Sequence, residues 1–135
     1  IAEKTNGTSV EWEKEEMDLL EFVGKIERVQ KRLGDFFSTT TNVYGYGAST
    51  KGNILLQITP HSHELYAIGE VNEEKIGRFT PGTKIPIVPE WIARDQSSFL
   101  FVLPWHFKDY IIEKETMFLA RGGHLVFPLP EFTVV

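Results

Sequence analysis

The segment Val43-Tyr44-Gly45-Tyr46-Gly47-Ala48-Ser49-Thr50-Lys51-Gly52-Asn53 concentrates three glycines, two hydroxyls and a lysine directly ahead of Ile54-Leu55-Leu56. An apolar approach, a Gly-rich turn and an apolar exit predict a strand that turns tightly into a helix. Such a turn presents backbone N–H groups, and a helix N-terminus adds positive potential, so together they form a cradle for an anion. Lys51 supplies a mobile positive charge that can reach a phosphate. The alternative is a Gly-rich turn that touches only water. Two familiar phosphate motifs are excluded by spacing. The dinucleotide fingerprint needs glycine at its sixth place, which counted from Gly45 holds Thr50. A Walker A loop needs Lys and then Ser or Thr after its second glycine, whereas Lys51 precedes Gly52 and Asn53 follows it.

Further candidates follow the later strands. Glu70 closes an apolar segment, where an acidic side chain of a nucleotide-binding α/β fold accepts hydrogen bonds from ribose hydroxyls. Its alternative is a solvated carboxylate beside Glu73 and Glu74. In Gly77-Arg78-Phe79-Thr80-Pro81-Gly82-Thr83, Pro81-Gly82 suits the centre of a type II turn, leaving Arg78, Thr80 and Thr83 to face a ligand or simply to brace the turn. Leu103-Pro104-Trp105-His106-Phe107 offers Trp105 for stacking on a base or sugar, or for sealing the sheet edge. His106 is the candidate general base, its imidazole titrating near neutral pH. His61 and His63 are one residue apart in a polar loop and do not complete a zinc site, which takes three or four protein ligands; no metal is expected in this chain. There is no nucleophile elbow and no obvious catalytic carboxylate pair. A phosphate cradle without a second chemical group describes a binding half of an enzyme.

These residues must be positioned by the elements around them. Leu19, Phe22, Ile26, Val29, Leu33 and Phe36 recur at steps of three and four, predicting a long amphipathic helix from Glu11 to Phe37 that covers one face of a sheet. Residues 1–10 read as a linker or frayed end. Strands are expected at Asn42–Tyr46, Glu64–Val71, Lys84–Val88, Ser98–Leu103 and His124–Leu129. Helices are expected at Ser49–Gln57 and at Lys108–Ala120, the latter capped by Gly122-Gly123. Strands alternating with helices imply an α/β fold with a mostly parallel sheet and flanking helices, in which ligands bind beyond the carboxyl ends of the strands. The loops Gly45–Asn53, Glu70–Thr83 and Pro104–Asp109 all fall on that edge.

The chain has 135 residues, enough for one domain with one ordinary core. A net charge of −5 with no basic block argues against nucleic acid as a partner. No apolar run reaches the roughly 18 residues of a membrane span, and no signal-peptide pattern is present, so a cytoplasmic location is expected. With no cysteine, disulfides, thiolate metal sites and a cysteine nucleophile are excluded within these residues.

Read together, Tyr46–Asn53, Gly77-Arg78-Phe79-Thr80-Pro81-Gly82-Thr83-Lys84-Ile85-Pro86-Ile87, Leu103–Phe107 and Leu119-Ala120-Arg121-Gly122-Gly123 with Phe127-Pro128-Leu129-Pro130 form an ordered set. The set resembles the C-terminal domain of S-adenosylmethionine-dependent C-methyltransferases acting on nucleotide-linked deoxysugars. The resemblance runs from about Val43 to Val135, and the helix at Glu11–Phe37 fits it. It implies a single Rossmann-like C-terminal domain at 11–135, excised from a longer methyltransferase, as the start at Ile1 also suggests. It further implies that this domain binds a dTDP-type keto-sugar through Gly47, Ser49, Thr50, Lys51, Gly52, Asn53, Glu70, Arg78, Thr83 and Trp105. On the same grounds no cofactor is expected here. S-adenosylmethionine and zinc are expected in the preceding methyl-donor and N-terminal domains, and the isolated domain is expected to be inactive. Two other readings stand beside it: a docking module of a methyltransferase with a non-sugar substrate, and a free-standing dehydrogenase-like domain, which Thr50 disfavours.

Overall fold

Continuous apolar runs with β-branched and aromatic residues form the strands, and helices supply the amphipathic faces that cover them. The computed structural model describes residues 2–135, and side chains from Val10 onward; Ile1, part of the expected linker, lies outside the described residues. The elements are α1 (Ala2–Thr39), β1 (Val43–Tyr46), α2 (Thr50–Ile58), β2 (Ile68–Glu70), β3 (Ile87–Pro89), α3 (Glu90–Gln96), β4 (Phe99–Val102), α4 (Lys108–Lys114), α5 (Thr116–Ala120), β5 (His124–Phe127) and β6 (Thr133–Val134). The strands form one sheet in the order β3-β2-β1-β4-β5-β6, parallel from β3 to β5 and antiparallel only at β6.

Alternation along the strands sends side chains to two cores. On one face Val43, Ile68, Phe101 and Val126 meet Leu33 and Phe37 of α1 and Leu55 and Leu56 of α2. On the other, Tyr46, Leu100, Val102, Leu125 and Phe127 meet Ala93 of α3, Ile111 of α4 and Phe118 of α5. Leu100, Phe101 and Val102 are fully buried, because β4 is central and covered on both faces.

The expected architecture is present, with local differences. The helical pattern expected from Glu11 begins at Ala2, inside the segment read as a linker. Among the residues whose side chains are described, only the C-terminal part of α1 covers the sheet. Val29, Leu33, Phe36 and Phe37 pack on the core, whereas Leu19 and Phe22 of the same stripe are exposed. The seven-residue α3 was not expected; it is too short for its apolar period to stand out between two strands. The single helix expected at Lys108–Ala120 is broken at Glu115, whose backbone leaves the helical region (φ −99°, ψ 25°) and whose carboxylate turns into the core. The last strand, expected to run from His124 to Leu129, ends at Phe127, and the chain returns through Thr133–Val134 to pair with it, so β6 is the edge.

Candidate functional site

The order of the strands reverses direction between β1 and β4, so the loops leaving their carboxyl ends diverge and open a crevice there. The Gly47 turn lies at this point. Gly47 has φ +78°, and a Cβ on it would sit 2.9 Å from the Pro104 ring, so both conformation and space require glycine. Ser49 then caps α2, its Oγ accepting from the Gly52 N–H at 3.0 Å. Gly52 lies directly against Leu103: a Cβ would meet the Leu103 Cβ at 2.4 Å. The glycine thus lets α2 seat on the end of β4.

The cradle is partly filled from within. Glu70, buried at the end of β2, accepts from Ala48 N–H through Oε1 at 3.1 Å and from Val71 and Asn72 N–H through Oε2 at 2.7 and 3.1 Å. Its carboxylate binds the turn's own backbone, whatever it offers a ribose. Lys75 closes the arrangement, Nζ donating to the Ala48 carbonyl at 2.8 Å and standing 3.9 Å from Glu70. The N–H groups of Thr50 and Lys51 have no acceptor among the described residues.

Two clefts flank this turn. The first, about 360 Å³, lies between the start of α2 and the Lys75–Pro81 segment. Ser49, Thr50, Asn53, Lys75, Arg78 and Thr80 line it over an apolar floor of Leu56, Ile68, Ile87 and Leu103. It contains two cations and no carboxylate. The Asn53 Oδ1 is buried without a hydrogen-bond partner, an acceptor left for a hydroxyl or N–H group. The second cleft, about 590 Å³, opens over the crevice itself. Its walls are Val71, Pro104, Phe107, Tyr110 and Ile111, with Glu70, Lys75, Glu90 and Lys114 as charges of both signs.

A buried ionic network underlies the second cleft. Glu115 accepts from the Tyr46 hydroxyl at 2.9 Å and from Arg94 Nε and Nη2 at 2.7 Å each. Arg94 also pairs with Glu90, which Lys114 reaches at 3.1 Å. Burial pushes the Glu115 carboxyl up, but the hydrogen bonds from Arg94 and Tyr46 and the charges of Arg94 and Lys114 outweigh it and leave the group below its ordinary value. Burial, reinforced by Glu115 and Glu90, raises the Tyr46 phenol and keeps it a neutral donor.

The sequence-derived candidates are therefore distributed unevenly. Ser49, Thr50, Asn53 and Arg78 share the first cleft, and Gly47 and Glu70 border the second. Lys51 is exposed on the first turn of α2 and lines neither. Thr83 braces its turn through the Thr80 hydroxyl, beside Gly82 at φ +77°. Trp105 is half-buried and packs against both cores, on the side of sealing the sheet edge. His106 is exposed against Phe107, ring centroids 4.3 Å apart, and lines neither cleft. His61, His63 and Glu64 bring their ligand atoms within 4.8 Å of one another, but exposed and in the loop that enters β2, at the opposite edge of the sheet. Lys75, Tyr110 and the Glu115 network carry no signal among the motifs singled out in the sequence, and Phe107 enters there only as part of the Leu103–Phe107 segment. A carboxylate at Glu115 between Ile111 and Phe118, on the apolar face of an expected helix, was the available signal.

Among the described residues no helix is long and apolar enough to cross a membrane. Residues 11–130 match the family of C-methyltransferase C-terminal domains. Over 121 residues the chain is 33% identical to the C-methyltransferase NovU of Streptomyces niveus, a stretch that takes in 85% of this chain and 29% of NovU. The chain thus spans less than a third of that relative's length.

Proposed function

Because this chain belongs to the family of C-methyltransferase C-terminal domains, we propose that it holds the nucleotide-linked keto-deoxysugar, of dTDP type, on which such an enzyme acts. The phosphates lie in the first cleft. What carries this reading is the composition of that cleft: Arg78, Lys75 (which stands 3.9 Å from Glu70 behind the lining) and the start of α2, with no carboxylate in the lining itself, beside an unpartnered Asn53 oxygen. The N–H groups of Thr50 and Lys51 point the same way electrically, as the positive end of the helix.

The role follows from the chemistry of methylation at carbon. A keto group acidifies the neighbouring C–H, and the enolate left by its proton takes a methyl group from a sulfonium donor. S-adenosylmethionine, zinc and the principal base belong, on this reading, to the remainder of the polypeptide. Anchoring a diphosphate away from the reacting carbon lets binding energy fix that carbon in line for transfer. The second cleft, lined by Phe107 and Tyr110, offers apolar surface for the rest of the substrate.

Titration calorimetry with dTDP, UDP and S-adenosylmethionine tests this. A nucleotide diphosphate is expected to bind and the methyl donor to give no heat. Arg78→Ala is expected to raise the nucleotide Kd roughly tenfold, about 1.4 kcal/mol, while Lys51→Ala changes it little because Lys51 lines neither cleft. Binding of the methyl donor alone overturns the assignment. The docking-module reading draws on the exposed part of α1; it requires silence toward both nucleotides.

A further inference from the structure

The apolar stripe of α1 begins in solvent and ends in the core. Trp12, Leu19, Ile26 and Leu33 are spaced by sevens and so fall on nearly one line of the helix. Leu33 is 1% exposed, whereas Leu19 is 60% and Trp12 68% exposed. From Val10 to Arg28, roughly 27 Å of helix at 1.5 Å per residue, only Gly24 and Ile26 are even half-buried. Apolar residues at this density on an extended helix mark an interaction surface. A helix end without tertiary packing also gains little from propensity alone.

We propose that this stripe docks on the part of the same methyltransferase polypeptide that precedes the domain, in an apolar groove flanked by Lys and Arg. Three observations select that occupant. First, the stripe is continuous with the α1 packing that already holds the domain together. Second, residues 11–21 contain six carboxylates and one lysine, a net −5 that equals the charge of the whole chain. Two copies laid parallel would oppose these charges, so a parallel pair is disfavoured and a basic rim fits. Third, the family is a C-terminal domain, and the matching region is 29% of NovU, so in the relative a larger body is tethered to this helix at high effective concentration. The inference rests on family membership and not on the nucleotide cleft.

Hydrogen–deuterium exchange tests it, comparing the chain alone with the same chain joined behind the portion of NovU that precedes its matching region. In the joined protein, amides of residues 10–26 are expected to exchange at least tenfold more slowly. Leu19→Glu with Phe22→Glu is expected to abolish that protection. Met17→Glu, roughly 200° round the helix from Leu19, is expected to keep it. The chain alone is expected to sediment as a monomer. No protection in the joined protein, or protection that survives Leu19→Glu/Phe22→Glu, overturns the proposal. So does a dimer of the isolated chain that the same double substitution dissociates.

Discussion

Glu115→Ala is expected to cost about 3–5 kcal/mol of folding stability, read from urea unfolding at pH 7. Its side chain is 2% exposed and accepts from both Arg94 and Tyr46. Removing it leaves Arg94, itself 26% exposed, with Glu90 as its carboxylate partner and orphans the Tyr46 hydroxyl. The cost arises chiefly from stranding these groups, not from losing attraction, and a second variant separates the two. Glu115→Leu combined with Arg94→Met should recover the part of the loss that comes from stranding Arg94, because that pair is then apolar, while the Tyr46 hydroxyl stays orphaned and Glu90 keeps Lys114. A double variant as unstable as Glu115→Ala would show instead that the ion pair is itself strongly favourable.

The same network sets a pH dependence. The folded Glu115 carboxyl lies below its unfolded value, so its contribution is fully present above about 4.3 and is lost as pH falls through the folded value. The stability gap between wild type and Glu115→Ala should therefore narrow below pH 4. Tyr46 is shifted the other way: its contribution is complete below about 10 and declines only at higher pH.

Gly52→Val is expected to lose about 3 kcal/mol and to weaken nucleotide binding more than tenfold. The added Cβ would stand 2.4 Å from the Leu103 Cβ and 3.2 Å from its Cα, neither of which is a flexible end. α2 must then lift from the sheet, carrying Thr50 and Asn53 out of the first cleft. Gly77→Ala is the contrast. Nothing lies within 4 Å of its Cβ position, so only the positive φ of 87° is strained, at about 1 kcal/mol. Calorimetric binding together with thermal unfolding distinguishes the two cases. A Gly52→Val protein that binds dTDP normally would show that the position of α2 is not what holds the ligand.

Residue types and spacing were sufficient for the Gly47 turn, the Ser49 cap and the helix after it, because these depend on groups within a few positions of one another. The parallel order was legible for a related reason. Buried runs separated by helical segments have few other ways to cover both faces. Gly52 was visible as part of a Gly-rich turn, but its closest constraint is Leu103, which is 51 residues away in the chain. Glu70 was read correctly as the end of a strand; that its carboxylate serves Ala48, Val71 and Asn72 depends on how two adjacent loops leave the sheet.

By itself, then, the sequence determined the class of fold, the edge of the sheet on which the Gly-rich turn lies and the family to which the chain belongs. Each is encoded in local pattern and in motifs whose residues are contiguous. Tertiary structure alone decided that Arg78 and Lys75 share a cleft with Asn53 while Lys51 and His106 stand apart from it. It also decided that Glu115 turns inward and that half of α1 leaves its apolar stripe in water. Those outcomes rest on distances between segments remote in sequence, which no periodicity records: the same amphipathic stripe is core where a sheet meets it and open surface where none does.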